Sequence, residues 1–429
     1  MSYGIASTAH PATDPASQSR SSADLSSTGK LAVRSAIIAF LFLSQVAYNI
    51  GDFPLSVDFI CYASCAAYLL VSGYVALDFL SFSLFTGAAA LAALRIPYSD
   101  SSTSWTSLLL LLALLAPFSF RMTDRYDLRS VQEYIQDTFV SAATVIGVVA
   151  MVQIVLVNAV KTPLLANIHF VLPDAIRSAG NYAYTREGTG LIKANGFFLR
   201  ESATLSIVMA LALMIEFYAK ARLRILAILG AGLICSFSGS GILALFAGFV
   251  LPRSIRRIPV FVASLVGLIA VLVGLYIADI PYLDAWFDRL EEFTTPNTSG
   301  YARFVAPFDM LAHSFEEVGS TWLGRGAGSY LREIMLLRVR YEVNDPTWAK
   351  LIYEYGVLGF ILVSSVFVIR LYSSSARIEV CNFLLFVWLS GGLLLKPEFA
   401  LMVWLLTLVP AHYSHSSPAR RDTLRPAGT

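Results

Sequence analysis

The stretch TFVSAATVIGVVAMVQIVLVNAV, residues 138–160, decides the fold because its 23 residues include no charged side chain. A helix of about 20 apolar residues is long enough to cross the hydrocarbon core of a bilayer. Eleven further apolar stretches lie before and after it, and most are about 15 to 23 residues long. The sequence therefore predicts an all-α, polytopic integral membrane protein of about 12 transmembrane helices.

The composition of the chain agrees with this prediction. Of 429 residues, 56% are hydrophobic and 14% are charged, and the mean hydropathy is +0.66. Helices satisfy their own backbone hydrogen bonds, so such a chain can reside in lipid. The composition excludes a soluble domain, and a net charge of only +2 gives no indication of a nucleic-acid partner.

Three regions follow from the pattern: a disordered cytoplasmic tail at 1–31, a transmembrane domain at 32–413 and a cytoplasmic tail at 414–429. Basic residues cluster beside alternate ends of the predicted spans, which places both termini in the cytoplasm by the positive-inside rule. The predicted spans are about 32–50, 55–74, 78–94, 105–120, 138–160, 201–219, 225–237, 239–251, 259–278, 348–370, 378–394 and 398–413.

Residues 225–251 could form one long helix, but basic residues flank both of its ends. A single crossing would place those basic flanks on opposite sides of the membrane. We therefore predict two short helices that turn at SFSGSG, residues 236–241, on the external side. Broken helices at membrane depth are tolerated where they line a cavity, so this polar turn indicates a site.

Two long polar segments, 161–200 and 279–347, are predicted to be periplasmic loops. They carry six and seven basic residues respectively. One interpretation is that these charges form ion pairs on a solvated surface. The other is that arginines line an external cavity, because the planar guanidinium suits phosphate and hence a lipid-linked pyrophosphate.

Four segments of the chain carry a resemblance to a known family. They are RFVAPFDMLAHSFEEVGSTWLGRGAG at 303–328, NDPTWAKLIYEYGVLGF at 344–360, GFFLRESATLS at 196–206 and the SFSGSG turn. In this order they resemble the large periplasmic loop and neighbouring elements of bacterial O-antigen polymerases and ligases, over roughly residues 130–410. Within that family the chain looks most like an exopolysaccharide repeat-unit polymerase of the xanthan type.

The resemblance implies a membrane glycosyltransferase that needs no metal and no cofactor. Its substrate would be an undecaprenyl-diphosphate-linked oligosaccharide at the periplasmic face of the bacterial inner membrane, and its partners a flippase and a chain-length co-polymerase beside the membrane lipid. A ligase that moves the glycan to another acceptor is the first alternative, and a transporter or flippase of lipid-linked sugars is the second. The chain shows no obvious internal repeat and concentrates its charge in two one-sided loops, which favours an enzyme over a transporter.

Three arginines are candidates for binding the diphosphate. Arg303 matches the arginine at the head of the family's loop motif, Arg200 stands where the first external loop enters a helix, and Arg325 lies inside GRGAG. Displacing a lipid diphosphate from a sugar requires stabilisation of the leaving group, and guanidinium groups supply it.

Three residues are candidates for the catalytic base. His313 follows Arg303 by ten residues in a predicted helix, Glu201 matches an acidic residue of the family, and Asp345 stands near the position where family members often carry His-Asn. For His313 the alternative is surface exposure or packing, and Glu201 could instead be solvated or paired with Arg200.

Overall fold

The computed structural model describes residues 24–50, 53–96, 103–178, 192–252, 255–277, 294–296, 298–336 and 343–411. Most of these residues are helical. The helices are α1 Ser27–Phe42, α2 Val57–Val71, α3 Phe79–Arg95, α4 Trp105–Leu115, α5 Leu128–Val160, α6 Ser202–Ala219, α7 Leu223–Cys235, α8 Ser240–Val250, α9 Ile258–Ile277, α10 Ser299–Phe304, α11 Ala306–Ser314, α12 Val318–Leu323, α13 Ser329–Leu336, α14 Thr347–Tyr372, α15 Ile378–Ser390 and α16 Pro397–Leu406.

Two short antiparallel ribbons connect some of these helices. Strand β1, Ala47–Ile50, pairs with β2, Phe53–Ser56, and strand β3, Val75–Leu77, pairs with β4, Phe120–Met122. The β1–β2 ribbon occupies the end of the first predicted span and the start of the second. Those two spans are therefore shorter than predicted, because their ends form strand rather than helix.

Each of the 12 predicted spans contains a helix, so the helical character of the chain is confirmed. Among the described residues, three helices are long and apolar enough to cross a membrane, namely Leu128–Val160, Ser202–Ala219 and Thr347–Tyr372. Several others are apolar but have only 10 to 17 residues. The number of crossings stays a prediction.

Helix α1 begins inside the segment predicted to be a disordered tail. The Ser26 side chain accepts a hydrogen bond from the Gly29 backbone N–H at 3.1 Å, and it also accepts one from the Tyr74 hydroxyl. This N-cap starts the helix at Ser27, five residues before the predicted span. Residues 1–23 and 412–429, which include most of both predicted tails, lie outside the described residues.

Helix α6 forms the centre of the core, with ten of its 18 residues buried. It packs against α5, α7, α8 and α15. Helices α5 and α7 cross closely at Gly147 and Gly232, where a Cβ on Gly232 would lie 3.1 Å from the Gly147 Cα. Small residues at a helix crossing let backbones approach and are typical of helix packing in membranes.

Segments that are predicted to lie on the same side of the membrane contact each other at the same end of the molecule. At the predicted cytoplasmic end, the Arg121 guanidinium forms an ion pair with Asp78 at 3.0 Å and hydrogen-bonds the Ser373 hydroxyl at 2.7 Å. At the predicted external end, the Gln45 side chain donates to the Phe198 carbonyl at 2.8 Å. The predicted topology requires this grouping, and which end faces the cytoplasm stays a prediction.

The predicted break between the seventh and eighth spans is confirmed. Helix α7 ends at Cys235 and α8 begins at Ser240. The Ser206 hydroxyl of α6 accepts from the Gly241 backbone N–H and donates to the Ser238 carbonyl, both at 2.9 Å. Only glycine fits at 241, since a Cβ there would lie 2.2 Å from the Ser206 carbonyl oxygen.

Candidate functional site

The first external loop is tied to α5 by one buried glutamine. The Gln153 amide nitrogen donates to the Leu165 and Ala166 carbonyls and to the Asn195 side chain, at 3.2, 2.7 and 2.9 Å. Its oxygen accepts from the backbone N–H groups of Asn195 and Phe197, at 3.1 and 3.2 Å. These five hydrogen bonds hold residues 165–166 and 195–197 of the loop against α5.

Arg200 and Glu201 stand where this loop enters α6. The Arg200 guanidinium donates to the Ser178 hydroxyl at 3.0 Å, and the Asn167 side chain donates to the Arg200 carbonyl at 3.3 Å. Glu201 is the half-buried N-cap residue of α6, and its carboxylate makes no capping hydrogen bond. The loop therefore holds both candidates at the start of α6, which is predicted to be its external end.

His169 lies in the same loop, close to two arginines. Its partial burial, with the positive charges of Arg177 and Arg200, lowers the pKa of the imidazole, while Asp174 opposes that shift. The ring also packs edge-on against Phe170. This histidine therefore favours its neutral form.

Arg303 brings the second external loop to the polar turn. It lies on α10, and its Nη1 is 3.5 Å from the Ser240 hydroxyl at the start of α8. Ser240 belongs to the SFSGSG turn, so the predicted site turn and a predicted diphosphate ligand are neighbours. Ser240 and Arg303 are 63 residues apart in the sequence, so their spacing gave no indication of this contact.

A cavity of about 360 Å³ lies between Arg303 and α15. Its lining is largely apolar, and Arg303 is its one charged residue. Phe308 packs against Trp348 at a ring distance of 4.9 Å and supports the wall. The residues that line the cavity are Leu251, Arg303, Phe304, Trp348, Leu385, Phe386, Leu389 and Ser390. We call this space the Arg303 cavity.

Asp345 lies beside this cavity. The backbone N–H of the preceding Asn344 donates to the Ala302 carbonyl at 3.0 Å, which joins the start of α14 to α10. One carboxylate oxygen of Asp345 binds the Lys350 ammonium at 2.9 Å. Burial, assisted by the Asp345 carboxylate, raises the pKa of Tyr330 far above its usual value. The neutral Tyr330 hydroxyl donates to the Asn344 carbonyl at 3.0 Å.

Arg325 occupies a different position. Its guanidinium lies 3.5 Å from the Glu333 carboxylate and 5.9 Å from the centre of the Tyr353 ring. Its backbone N–H donates to the Tyr353 carbonyl at 2.8 Å, where α14 is interrupted by Gly356 with φ +68°. Arg325 is not among the described residues that line the Arg303 cavity, so a direct diphosphate contact stays a prediction.

His313 lies on α11, in a helix as predicted. Its side chain lies outside the described residues, so its candidacy as a base is untested. Two charged residues that sequence reasoning had not singled out are Lys350 and Glu354, which are 4% and 1% exposed. A charge inside an otherwise apolar span is the signal that could have identified them.

Comparisons with known proteins add no identification. No protein-family model matches this sequence, and no curated protein matches it either. The described residues contain no group of three or more His, Cys, Asp or Glu side chains that could hold a metal ion. The resemblance to O-antigen polymerases and ligases, and the metal independence it implies, stay predictions.

Proposed function

We propose that the protein is a polysaccharide repeat-unit polymerase of the bacterial inner membrane. It transfers the growing glycan from undecaprenyl diphosphate to a new lipid-linked repeat unit at the periplasmic face during exopolysaccharide biosynthesis. The observation that carries this proposal is the position of Arg303 in the lining of a largely apolar cavity, next to the polar turn at Ser240.

The two parts of the cavity suit the two parts of a lipid diphosphate. A guanidinium forms charge-assisted, bidentate hydrogen bonds with phosphate oxygens. The apolar part of the lining is formed by Leu385, Phe386 and Leu389 of α15 and by Leu251, the residue after α8. An isoprenoid chain would lie along that wall while its diphosphate lies at Arg303.

The chemistry needs a charge at the leaving group and a group that accepts the acceptor's proton. Arg303 stabilises the diphosphate as the anomeric carbon–oxygen bond breaks. Asp345 and Glu201 are the two predicted bases whose side chains are described, and either could act as the base. At the external end, the enzyme would receive repeat units from a flippase and would work beside a chain-length co-polymerase.

The experiment is elongation of lipid-linked glycan by the purified protein. The protein in lipid nanodiscs receives undecaprenyl-diphosphate-linked repeat units, and mass spectrometry measures product length. We expect Arg303→Ala to lower the rate about 100-fold, as loss of a transition-state donor does, and Arg303→Lys to retain part of it. Arg332→Ala, an exposed arginine on α13, is the matched control and should elongate normally.

Two results would contradict the proposal. The first is a wild-type protein that lengthens no glycan although it is folded in the nanodisc. The second is normal elongation by Arg303→Ala. Transfer of preformed polymer to a different acceptor, without elongation, would instead identify a ligase.

A further inference from the structure

Three charged side chains form a buried cluster at the start of α14. They are Asp345, Lys350 and Glu354. Lys350 and Glu354 are four residues apart and lie on the same helix face, and both are almost fully buried at 4% and 1% exposure. The Lys350 ammonium bridges toward the Asp345 carboxylate at 2.9 Å, and Glu354 lies close enough to Lys350 to interact with its charge.

This arrangement costs free energy, so stability alone does not explain it. Removing charges from water costs several kcal/mol per ion, and a buried ion pair often stabilises a fold less than apolar side chains of similar volume. The Glu354 carboxylate faces the backbone N–H groups of Gly328 and Tyr330 but makes no hydrogen bond of ordinary geometry. Lys350 is its charged neighbour.

Three observations place the segment around Asp345 next to residues that line the Arg303 cavity. The backbone N–H of the preceding residue, Asn344, donates a hydrogen bond to the carbonyl of Ala302, the residue before Arg303. Trp348, three residues later, lines the cavity. A Cβ on Gly392 would lie 2.4 Å from the second Asp345 oxygen, so that oxygen packs against the segment that follows Ser390.

Asp345 is the partly accessible member of the cluster. Its side chain is 29% exposed, whereas the Lys350 side chain is 5% exposed. The ammonium therefore holds one carboxylate oxygen from the buried side, and the partly exposed carboxylate lies on the segment that leads to Trp348 in the cavity lining. A cation that fixes a carboxylate from behind restricts its rotamers, which is how a base is kept in a productive geometry.

Resting on the proposed function, we propose that Lys350 is a positioning residue that holds Asp345 as the base of glycosyl transfer. The acceptor hydroxyl oxygen forms a bond with the anomeric carbon, and its proton passes to the Asp345 oxygen that Lys350 does not hold. The bond from the anomeric carbon to the diphosphate oxygen breaks, and the diphosphate leaves with the electron pair beside Arg303. The nearby negative charge of Glu354 offsets that of Lys350 once Asp345 is protonated.

The test is a double-mutant cycle in the elongation assay. We expect Lys350→Met to lower kcat about 100-fold, the effect of displacing a catalytic group by about 1 Å, with KM for the lipid-linked donor unchanged. Lys350→Arg should restore part of kcat. In an Asp345→Asn background, Lys350→Met should cause little further loss, because residues that act as one unit are not additive.

Lys396→Met, at the start of α16, is the matched lysine control and should retain the wild-type kcat. Equal losses from Lys350→Met in the wild-type and Asp345→Asn backgrounds would overturn the proposal, as would an unchanged kcat. If the methionine variant fails to accumulate, Lys350→Arg enters the same cycle with the same criterion. Failure of the wild type to elongate would instead contradict the proposed function, so the two failures are distinguishable.

Discussion

Replacing Gln153 by leucine should release the loop that carries Arg200 and Glu201. Leucine occupies a similar volume but neither donates nor accepts, so all five hydrogen bonds of the Gln153 amide are lost. The Phe197 N–H keeps a bond to the Asn195 side chain at 2.9 Å. The Asn195 N–H, which is buried, loses its Gln153 acceptor.

The size of the effect follows from these bonds. An unpaired buried N–H costs about 1–3 kcal/mol, and each remaining polar contact between membrane helices is worth about 0.6 kcal/mol. The loop should therefore lose about 3 kcal/mol of local stability. Since about 1.4 kcal/mol corresponds to a factor of ten, the amides of residues 195–200 should exchange with deuterium roughly 100-fold faster.

Hydrogen exchange with mass spectrometry, on the protein in nanodiscs, measures this change. The matched control is Gln132→Leu, which removes a glutamine from the same helix at 8% exposure. That glutamine makes one bond, to the Leu406 carbonyl at 3.3 Å, so its loss should leave the loop protected. Loop exchange within threefold of wild type in Gln153→Leu, or equal acceleration in both variants, would refute the reasoning.

Three further predictions concern the kink, the external loop and the topology. Gly356→Ala should lower the yield of folded protein, because φ of Gly356 is +68° and a Cβ there would lie 2.3 Å from the Trp322 backbone. The control Gly267→Ala, where a Cβ would meet nothing within 4 Å, should accumulate normally, and equal yields of the two variants would contradict this prediction. Burial and two guanidinium groups lower the pKa of His169 below 6.5, so His169 binds a proton more tightly when the loop is unfolded. Protection of the loop amides from hydrogen exchange should therefore fall as the pH drops through 6.5 toward that lower pKa. His169→Asn should abolish this pH dependence, and a dependence that persists in the variant would refute the role of His169. For the topology, the four native cysteines are replaced and single cysteines are introduced at Val171 and Leu223, which are 58% and 80% exposed. The cysteine at 171 should react with an impermeant maleimide in spheroplasts, whereas the cysteine at 223 should react only after permeabilisation. The reverse pattern would invert the predicted topology.

The sequence predicted the helices because an apolar run long enough to cross a bilayer has few other stable conformations. It also predicted the break at 236–241, where serine and glycine interrupt two apolar runs. Helix α5 begins at Leu128, ten residues before the predicted span. Hydropathy marks only the apolar part of a helix, and the polar first turns, capped by Asp127, extend beyond it.

The site was predictable residue by residue but not as an arrangement. Arg303 and Asp345 were candidates from the sequence, yet their proximity depends on α10 meeting the start of α14 through a single backbone bond. The contact of Gln153 with Asn195, 42 residues apart, and the pairing of Lys350 with Asp345 depend on tertiary packing. Local sequence patterns do not encode such pairings.

The length distribution of lipid-linked glycans in host cells that lack the protein tests the central claim most directly. Repeat-unit assembly is left intact, and the glycans are sized by mass spectrometry and gel filtration. We expect single repeat units to accumulate on the lipid carrier, with polymer restored by the wild-type chain but not by Arg303→Ala. An unchanged polymer length would contradict a role in polymerisation, and long lipid-linked polymer that never reaches its acceptor would identify a ligase instead.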